Sequence, residues 1–462
     1  MYKEALSPEN ISLVEEPQLD LFNPDKFLES DSNKLLNFVN EYYTSFEKIN
    51  PIKVINKSQF NTPVNFKQAK AIAIHRWYTY KEGFSPLFVN QFIKRYKTAD
   101  KNIVFDPFGG IGTTAVEAAL LGFTAYSNDV NPLSNFIANV KADIYNKKDL
   151  GDLEKEKERI AKYCFNRKNN PPENETVGNY FTKTTLDSVL KIQSYIDTIQ
   201  NEKIRSLIFI ALLTILESIS THRKDGNGVK IKKNFKGDFN VNQIVGLLTA
   251  QIELFIYDIK NKTIQTKPII NYQSSFEKYS LPQKADLVIT SPPYANCFDY
   301  SKVYLVELWF GGFFKNKQDQ KKFREASVIS HVHYKWGLRH QDFGHRLVNN
   351  EIYDYLNDLN LWDKKIPMML VGYFNDMGKV LYELSENLNQ GATVGFVVGN
   401  SVYGGVPIAT DILLAEIAMK LGFKLLGIES YRTLTPSSQQ MRIIREQDKK
   451  FLRESLVILK WK

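Results

Sequence analysis

Apolar positions along the chain change period repeatedly. Leu35, Leu36, Phe38, Val39, Tyr42 and Tyr43 recur at helical spacing and predict a helix over 32–48. Leu87, Val89, Phe92 and Ile93 do the same behind Ser85-Pro86, a capping residue followed by a proline suited to the first helical turn. Elsewhere the apolar runs are short and continuous, as in strands buried on both faces. They fall at 103–105, 123–127, 269–270, 285–290, 392–399, 422–429 and 454–461. Helical segments at 115–121, 368–388 and 407–421 alternate with them. That alternation predicts an α/β fold around a largely parallel sheet of seven strands.

Two stretches break the alternation. Residues 142–262 read as mainly helical, over 148–166, 178–202, 203–220 and 241–260. After an aromatic-rich helix at 300–310, residues 311–364 form a smaller insertion. The expected organisation is an acidic N-terminal arm (1–69), a first part of the sheet domain (70–141), a helical insertion after the second strand (142–262), and a return to the sheet (263–310). The insertion after the fourth strand (311–364) and a closing part of the sheet (365–462) complete it.

Two turns carry the chemistry. The strand at 285–290 stops at Ser291-Pro292-Pro293-Tyr294, because neither proline has an N–H to continue a ladder. The turn presents a serine hydroxyl, a prolyl carbonyl and an aromatic ring at the carboxyl edge of a sheet, where open α/β folds bind ligands. Two acceptors and a stacking surface suit a planar group bearing an amine. The other turn, FDPFGGIGTT at 105–114, follows the first strand. Gly109, Gly110 and Gly112 allow close backbone approach. Thr113 and Thr114 open a helix whose N–H groups face the turn. A second strand follows, then Asp129, in the βαβ plan where an acid holds ribose hydroxyls. The turn is neither GxGxxG nor a P-loop, and Asp106 within it suits an amine or cation rather than a phosphate.

Charge adds a partner class. The net charge is +9, yet residues 1–50 carry −6, leaving +15 on the remainder. A basic body suggests a polyanion. The segment 221–240 holds Arg223, Lys224, Lys230, Lys232, Lys233 and Lys236 among three glycines, which predicts a mobile loop contacting backbone phosphates. The 311–364 insertion interleaves Lys335 and Arg339 with Tyr334, Trp336 and four histidines, His331, His333, His340 and His345. The HxH pair lacks carboxylate or cysteine support at ligand spacing, so no metal is expected. Cys164 and Cys297 allow no disulfide framework, and Cys297 reads as a packing residue. The apolar run 207–216 is too short for a bilayer, and the N-terminus has no signal pattern, so no membrane association is expected. His75 reads as a packing histidine.

Together these motifs resemble the S-adenosylmethionine-dependent DNA amino-methyltransferases of SPPY type, over most of the chain after residue 70. FDPFGGIGTT resembles their cofactor loop, SPPY their catalytic motif, and HRWYTYKEGFSP at 75–86 the segment that closes over the cofactor. The ending GNSVYGG…REQDKKFLRESLVILK is also typical of the group. The resemblance implies a Rossmann-like seven-stranded methyltransferase sheet whose last strand inserts antiparallel. It implies S-adenosylmethionine as cofactor, held by Phe84, Ser85, Asp106, Pro107, Phe108, Gly109, Gly110, Gly112, Thr113, Thr114, Asp129, Asn131 and Ser275. Ser291, Pro292, Pro293 and Tyr294 are then the catalytic set, acting on a base flipped from double-stranded DNA. Serine at the first position favours cytosine N4 over adenine N6. Arg223, Lys224, Lys230, Lys232, Lys233, Lys335 and Arg339 are expected at the nucleic acid, with 311–364 favoured for target recognition.

Other readings stay open at this stage: an RNA methyltransferase acting on a tRNA guanine amine, a non-catalytic DNA-binding subunit, and a dehydrogenase, which Asp106 and the PPY turn fit badly. A companion restriction endonuclease and a cytoplasmic location in a bacterium or archaeon are expected. Oligomeric state is not legible.

Overall fold

The computed structural model describes residues 32–55, 66–80, 83, 85–100, 102–225, 228–233, 235, 237–270, 276–333 and 343–462. Phe84, Ser275, Lys236, Tyr334, Lys335, Trp336, Arg339 and His340, and the first 31 residues of the arm, lie outside the described residues.

Twelve strands occur in chain order among these residues. They are β1 (Lys53–Val54), β2 (Ile103–Asp106), β3 (Thr124–Ser127), β4 (His222–Asp225), β5 (Gly228–Ile231), β6 (Ile269–Ile270) and β7 (Ala285–Thr290). The remainder are β8 (Leu388–Gly399), β9 (Ser401–Tyr403), β10 (Val406–Ile408), β11 (Lys424–Thr433) and β12 (Arg453–Lys460). Eight form one sheet in the order β1-β11-β12-β8-β7-β2-β3-β6. Only β12 runs antiparallel to its neighbours. All seven expected strands are present, and the implied antiparallel strand is β12. The eighth, β1, pairs through two residues with β11. Both residues of β1, Lys53 and Val54, are exposed, so no apolar run marks it in the sequence.

Burial on both faces explains the apolar runs. Every residue of β7 is buried. Side chains alternate across a strand, so Val104, Leu287 and Ile289 pack with Phe88, Val89, Phe92, Ala115 and Ala118 on one face. Phe105, Val288, Val394 and Phe396 pack on the other, against helices 366–386 and 410–420. The strand order reverses direction between β2 and β7. That switch point brings the loops after these two strands side by side.

The helices are α1 (Ser32–Ile49), α2 (Pro86–Tyr96), α3 (Thr113–Leu120), α4 (Pro132–Lys141), α5 (Lys147–Lys162), α6 (Glu175–Gly178), α7 (Lys183–Ile196), α8 (Glu202–Ile219) and α9 (Val241–Asn261). After β7 come α10 (Tyr300–Val303), α11 (Leu305–Phe310), α12 (Lys317–Ala326), α13 (Tyr353–Asp358), α14 (Ile366–Glu386), α15 (Thr410–Lys420) and α16 (Ser438–Ile443). Helices α7, α8 and α9 bury Val189, Leu207, Leu212, Ile252 and Phe255 in a core of their own. Asp258 of α9 joins that core to the segment before α2. It accepts from Ile74 N–H (2.9 Å) and Trp77 Nε1 (3.0 Å), and it pairs with Arg76. Among the described residues no helix is long and apolar enough to cross a membrane.

Several expectations need correction. The predicted helix 178–202 is the shorter α7, which starts where Thr182 accepts from Thr185 N–H and ends at Ile196. The 300–310 helix breaks at Tyr304 into α10 and α11. The 221–240 segment is not a simple loop. Its strands β4 and β5 form an antiparallel hairpin. Ser85 stands at the N-cap of α2 but makes no side-chain capping bond. Residues 32–55 of the expected arm are integral to the packing. Glu47 of α1 pairs with Arg453 at 2.6 Å, and Asn40 donates to Asp448 at 2.6 Å.

Candidate active site

The loop after β2 is held by backbone contacts that only glycine permits. Gly109 N–H donates to Asn128 O at 2.8 Å, and a Cβ on Gly109 would stand 1.8 Å from Ser127 Oγ. Gly110 and Gly112 have φ of 49° and 83°, in the left-handed region. Asp129, after β3, clamps the loop from the far side. Its Oδ2 accepts from Gly110 N–H (2.8 Å) and its Oδ1 from Asn131 N–H (2.7 Å). Asn131 then caps α4.

Asp106 lies fully buried beneath this loop. Its Oδ1 accepts from Phe108 N–H (3.1 Å) and Thr290 Oγ1 (2.6 Å). Thr114 Oγ1 donates to Ile289 O at 3.1 Å. Both bonds cross from the glycine loop to β7, just before Ser291. The two sequence motifs are therefore locked into one unit. Burial pushes the carboxyls of Asp106 and Asp129 up to about 6, against the hydrogen bonds that favour their charged forms.

One pocket, enclosing about 880 Å³ of space open to solvent, is lined by Pro107, Phe108, Gly109, Gly110, Thr113, Asp129 and Asn131 together with Ser291 and Pro293. Tyr80, Phe276, Asp299, Tyr300, Phe323 and His331 complete its walls. Pro292 is buried. The Tyr294 ring rests against the backbone of Gly399, where a Cβ would come within 2.7 Å of it. Its hydroxyl donates to Glu454 (2.9 Å), which Arg432 also holds. Burial beside Glu454 pushes the phenol upward, so it stays protonated. Cys297 packs against Met369 and Tyr403, and burial raises its thiol to about 11, against any nucleophilic role. His75 is buried and bonded to Glu117 at 2.9 Å.

The residues present fit an adenosyl sulfonium bearing an amino acid. Asp106 Oδ2 is buried with no hydrogen-bond partner among the described residues, and a cation satisfies such an atom. Asp129 borders the pocket, and Tyr80, Phe108, Val130 and Phe276 supply apolar walls.

The expected phosphate contacts divide. Lys224 is buried, its ammonium paired with Glu307 and 4.4 Å over the Tyr304 ring, so it is a structural cation rather than a phosphate ligand. Lys232 donates to the carbonyls of Glu217, Ser218 and Ser220 at the end of α8. It serves the helix terminus. Arg223 and Lys230 are exposed but flank Asp225, at 3.8 and 3.1 Å. Lys233 is exposed.

Sequence reasoning missed Tyr80, Phe276, Asp299, Tyr300, Phe323 and His331 as pocket residues. Asp299 and Tyr300 could have been found from their place just behind SPPY. Phe323 gave no signal and His331 only its membership of the histidine-bearing insertion, because only tertiary packing brings them to the pocket.

The fold, α/β around a large and mostly parallel sheet, is consistent with a Rossmann-like methyltransferase. The chain is 29% identical to the Type II methyltransferase M.BsoBI of Geobacillus stearothermophilus, over 82% of this chain and 84% of that protein. It is 28% identical to M.AvaI of Nostoc sp. (90% and 92% covered) and 23% identical to M.MvaI of Kocuria varians (75% and 81%). No family model matches the chain.

Proposed function

We propose that this DNA methyltransferase methylates the exocyclic amine of a base flipped from double-stranded DNA at a specific site, with cytosine N4 as the target. One observation carries the reading: the glycine loop, Ser291 and Pro293 line a single pocket, and the Thr290–Asp106 bond joins the two motifs.

When bound, S-adenosylmethionine supplies a methyl group on a good leaving group. Gly109, Gly110 and Gly112 let the backbone approach it, Asp106 balances its positive charge, and Asp129 accepts from its ribose hydroxyls. Ser291 Oγ and the Pro292 carbonyl accept from the target amine. An exocyclic amine is a weak nucleophile because its lone pair is delocalised into the ring. Acceptors held by a stiff turn favour the pyramidal nitrogen that attacks. Positioning therefore carries most of the rate. Tyr294 stacks on the base, and Gly399 gives its ring room.

Serine in place of the aspartate of many adenine enzymes supports cytosine N4, and adenine N6 is the second reading. The 311–364 segment reads the target: Phe323 and His331 from it already wall the pocket. Lys233, Arg223 and Lys230 contact phosphates, with Lys335 and Arg339 joining from that segment. Relatives named as Type II methyltransferases support a companion restriction endonuclease for the same site.

The test is transfer from labelled S-adenosylmethionine to unmethylated genomic DNA and to tRNA in parallel, followed by nucleoside analysis. Label in N4-methylcytosine supports the reading, and label in N6-methyladenine moves the target. Label in tRNA alone, or in neither, overturns it.

A further inference from the structure

Besides the glycine loop, the pocket is lined by Tyr300, Phe323, Val328 and His331. His331 is 5% exposed. The backbone N–H of His333 points at its Nδ1, 3.2 Å away. A backbone N–H can only donate, so Nδ1 is the bare nitrogen and the ring proton sits on Nε2. Burial lowers the imidazole to about 4, aided by Arg324, His333 and Lys302 and opposed by Asp299, so the ring is neutral at physiological pH. Among the described residues no hydrogen-bond partner takes the Nε2 proton. Asp299 Oδ1 accepts from Ser301, and its Oδ2 forms an ion pair with Arg324 at 3.0 Å. His331 thus brings an oriented N–H donor to the same pocket that Ser291 lines.

We propose that His331 reads the target base, its Nε2–H donating to the unprotonated ring nitrogen next to the reacting amine, which is N3 in cytosine. This rests on the amine-methylation reading above. An amine donor beside a ring-nitrogen acceptor is the Watson–Crick edge of cytosine, shared by adenine at N6 and N1. Guanine carries N1–H beside its amine on that edge and would set donor against donor. Phe323 and Val328 bound the slot as apolar walls.

The test uses a duplex carrying one site found methylated in genomic DNA, with either deoxycytidine or 3-deaza-deoxycytidine at the target. The latter lacks the N3 acceptor. Single-turnover rates are compared for the unaltered protein, His331→Ala and His331→Gln, and S-adenosylmethionine affinity is measured by calorimetry. His331→Ala is expected to keep cofactor affinity within about twofold and to lose about tenfold or more in rate on deoxycytidine. The deaza base costs the unaltered protein a similar factor and adds little to His331→Ala, because both remove the same bond. His331→Gln, which keeps a donor, transfers faster than His331→Ala. Additive losses, or equal rates for the two variants, overturn the assignment. Loss of cofactor affinity in both variants overturns it too, placing His331 in the cofactor half. Absence of transfer by the unaltered protein to any DNA instead overturns the underlying reading. If the genomic site is adenine, 1-deaza-deoxyadenosine takes the place of the cytosine analogue, and the same pattern is required.

Discussion

The two walls of the pocket are built differently. The part from the loop after β2 owes its shape to backbone: glycines pressed against Ser127 and Asn128, N–H groups clamped by Asp129, and a buried carboxylate beneath, with Phe108 as an apolar side chain. Another part of the lining comes from the insertion, with Phe323 and His331 carried in by α12 and the segment after it. A backbone cradle suits a ligand that never changes, since side-chain substitution barely alters it. A side-chain wall on an insertion can be re-cut while the sheet stays intact. The difference teaches where specificity is free to vary.

That contrast can be broken at its strongest point first. Gly109→Ala places a Cβ 1.8 Å from Ser127 Oγ, so the loop must shift. Cofactor affinity measured by calorimetry is expected to fall by about 100-fold or more. Retained affinity would show that the cradle is not rigid. Ser291→Ala should lose about 100-fold in single-turnover rate with cofactor affinity nearly unchanged. Gly399→Ala, which crowds the Tyr294 ring, should behave the same way, more weakly. If either variant loses cofactor affinity in step with rate, the two walls are not functionally separate.

Asp106→Ala tests the cradle's charge, with affinity for S-adenosylmethionine expected to fall about tenfold. The pH dependence sharpens this. The carboxyls of Asp106 and Asp129 move from the usual 3.8 up to about 6 on burial, so each binds its proton more tightly in the fold than in the unfolded chain. Their contribution to stability is complete below about pH 4 and is lost as the pH rises through 6. Cofactor binding runs the other way, because the cation needs charged Asp106. Affinity is expected to fall about tenfold between pH 7 and 5, and a flat titration would separate Asp106 from the cofactor.

The smallest effects lie in the basic hairpin. Lys233→Ala should weaken DNA binding only a few-fold and reduce its salt dependence by about one unit of slope. Lys224→Ala should leave that slope alone and instead lower stability by about 3 kcal/mol in denaturant titrations, since it strands the buried Glu307. A matching salt effect from both would return Lys224 to the phosphate contacts.

Read by itself, the sequence determined seven strands of the sheet, the helices between them and the two turns, because those follow from local pattern. Apolar runs predict strands buried on both faces, two prolines stop β7, and glycines mark a loop that must approach something closely. Pattern could not say what the loop approaches, nor that Asp106 reaches Thr290, 184 positions away. It could not rank the lysines at 221–240, since charge is visible in sequence but its partner is not. Lys224 turned inward to Glu307 and Lys232 to the end of α8. Tertiary packing alone decided these, along with the pairing of α1 with β12 and the arrival of His331 in the pocket that the glycine loop lines. Each depends on contacts between residues far apart in the chain, and no local periodicity encodes such contacts.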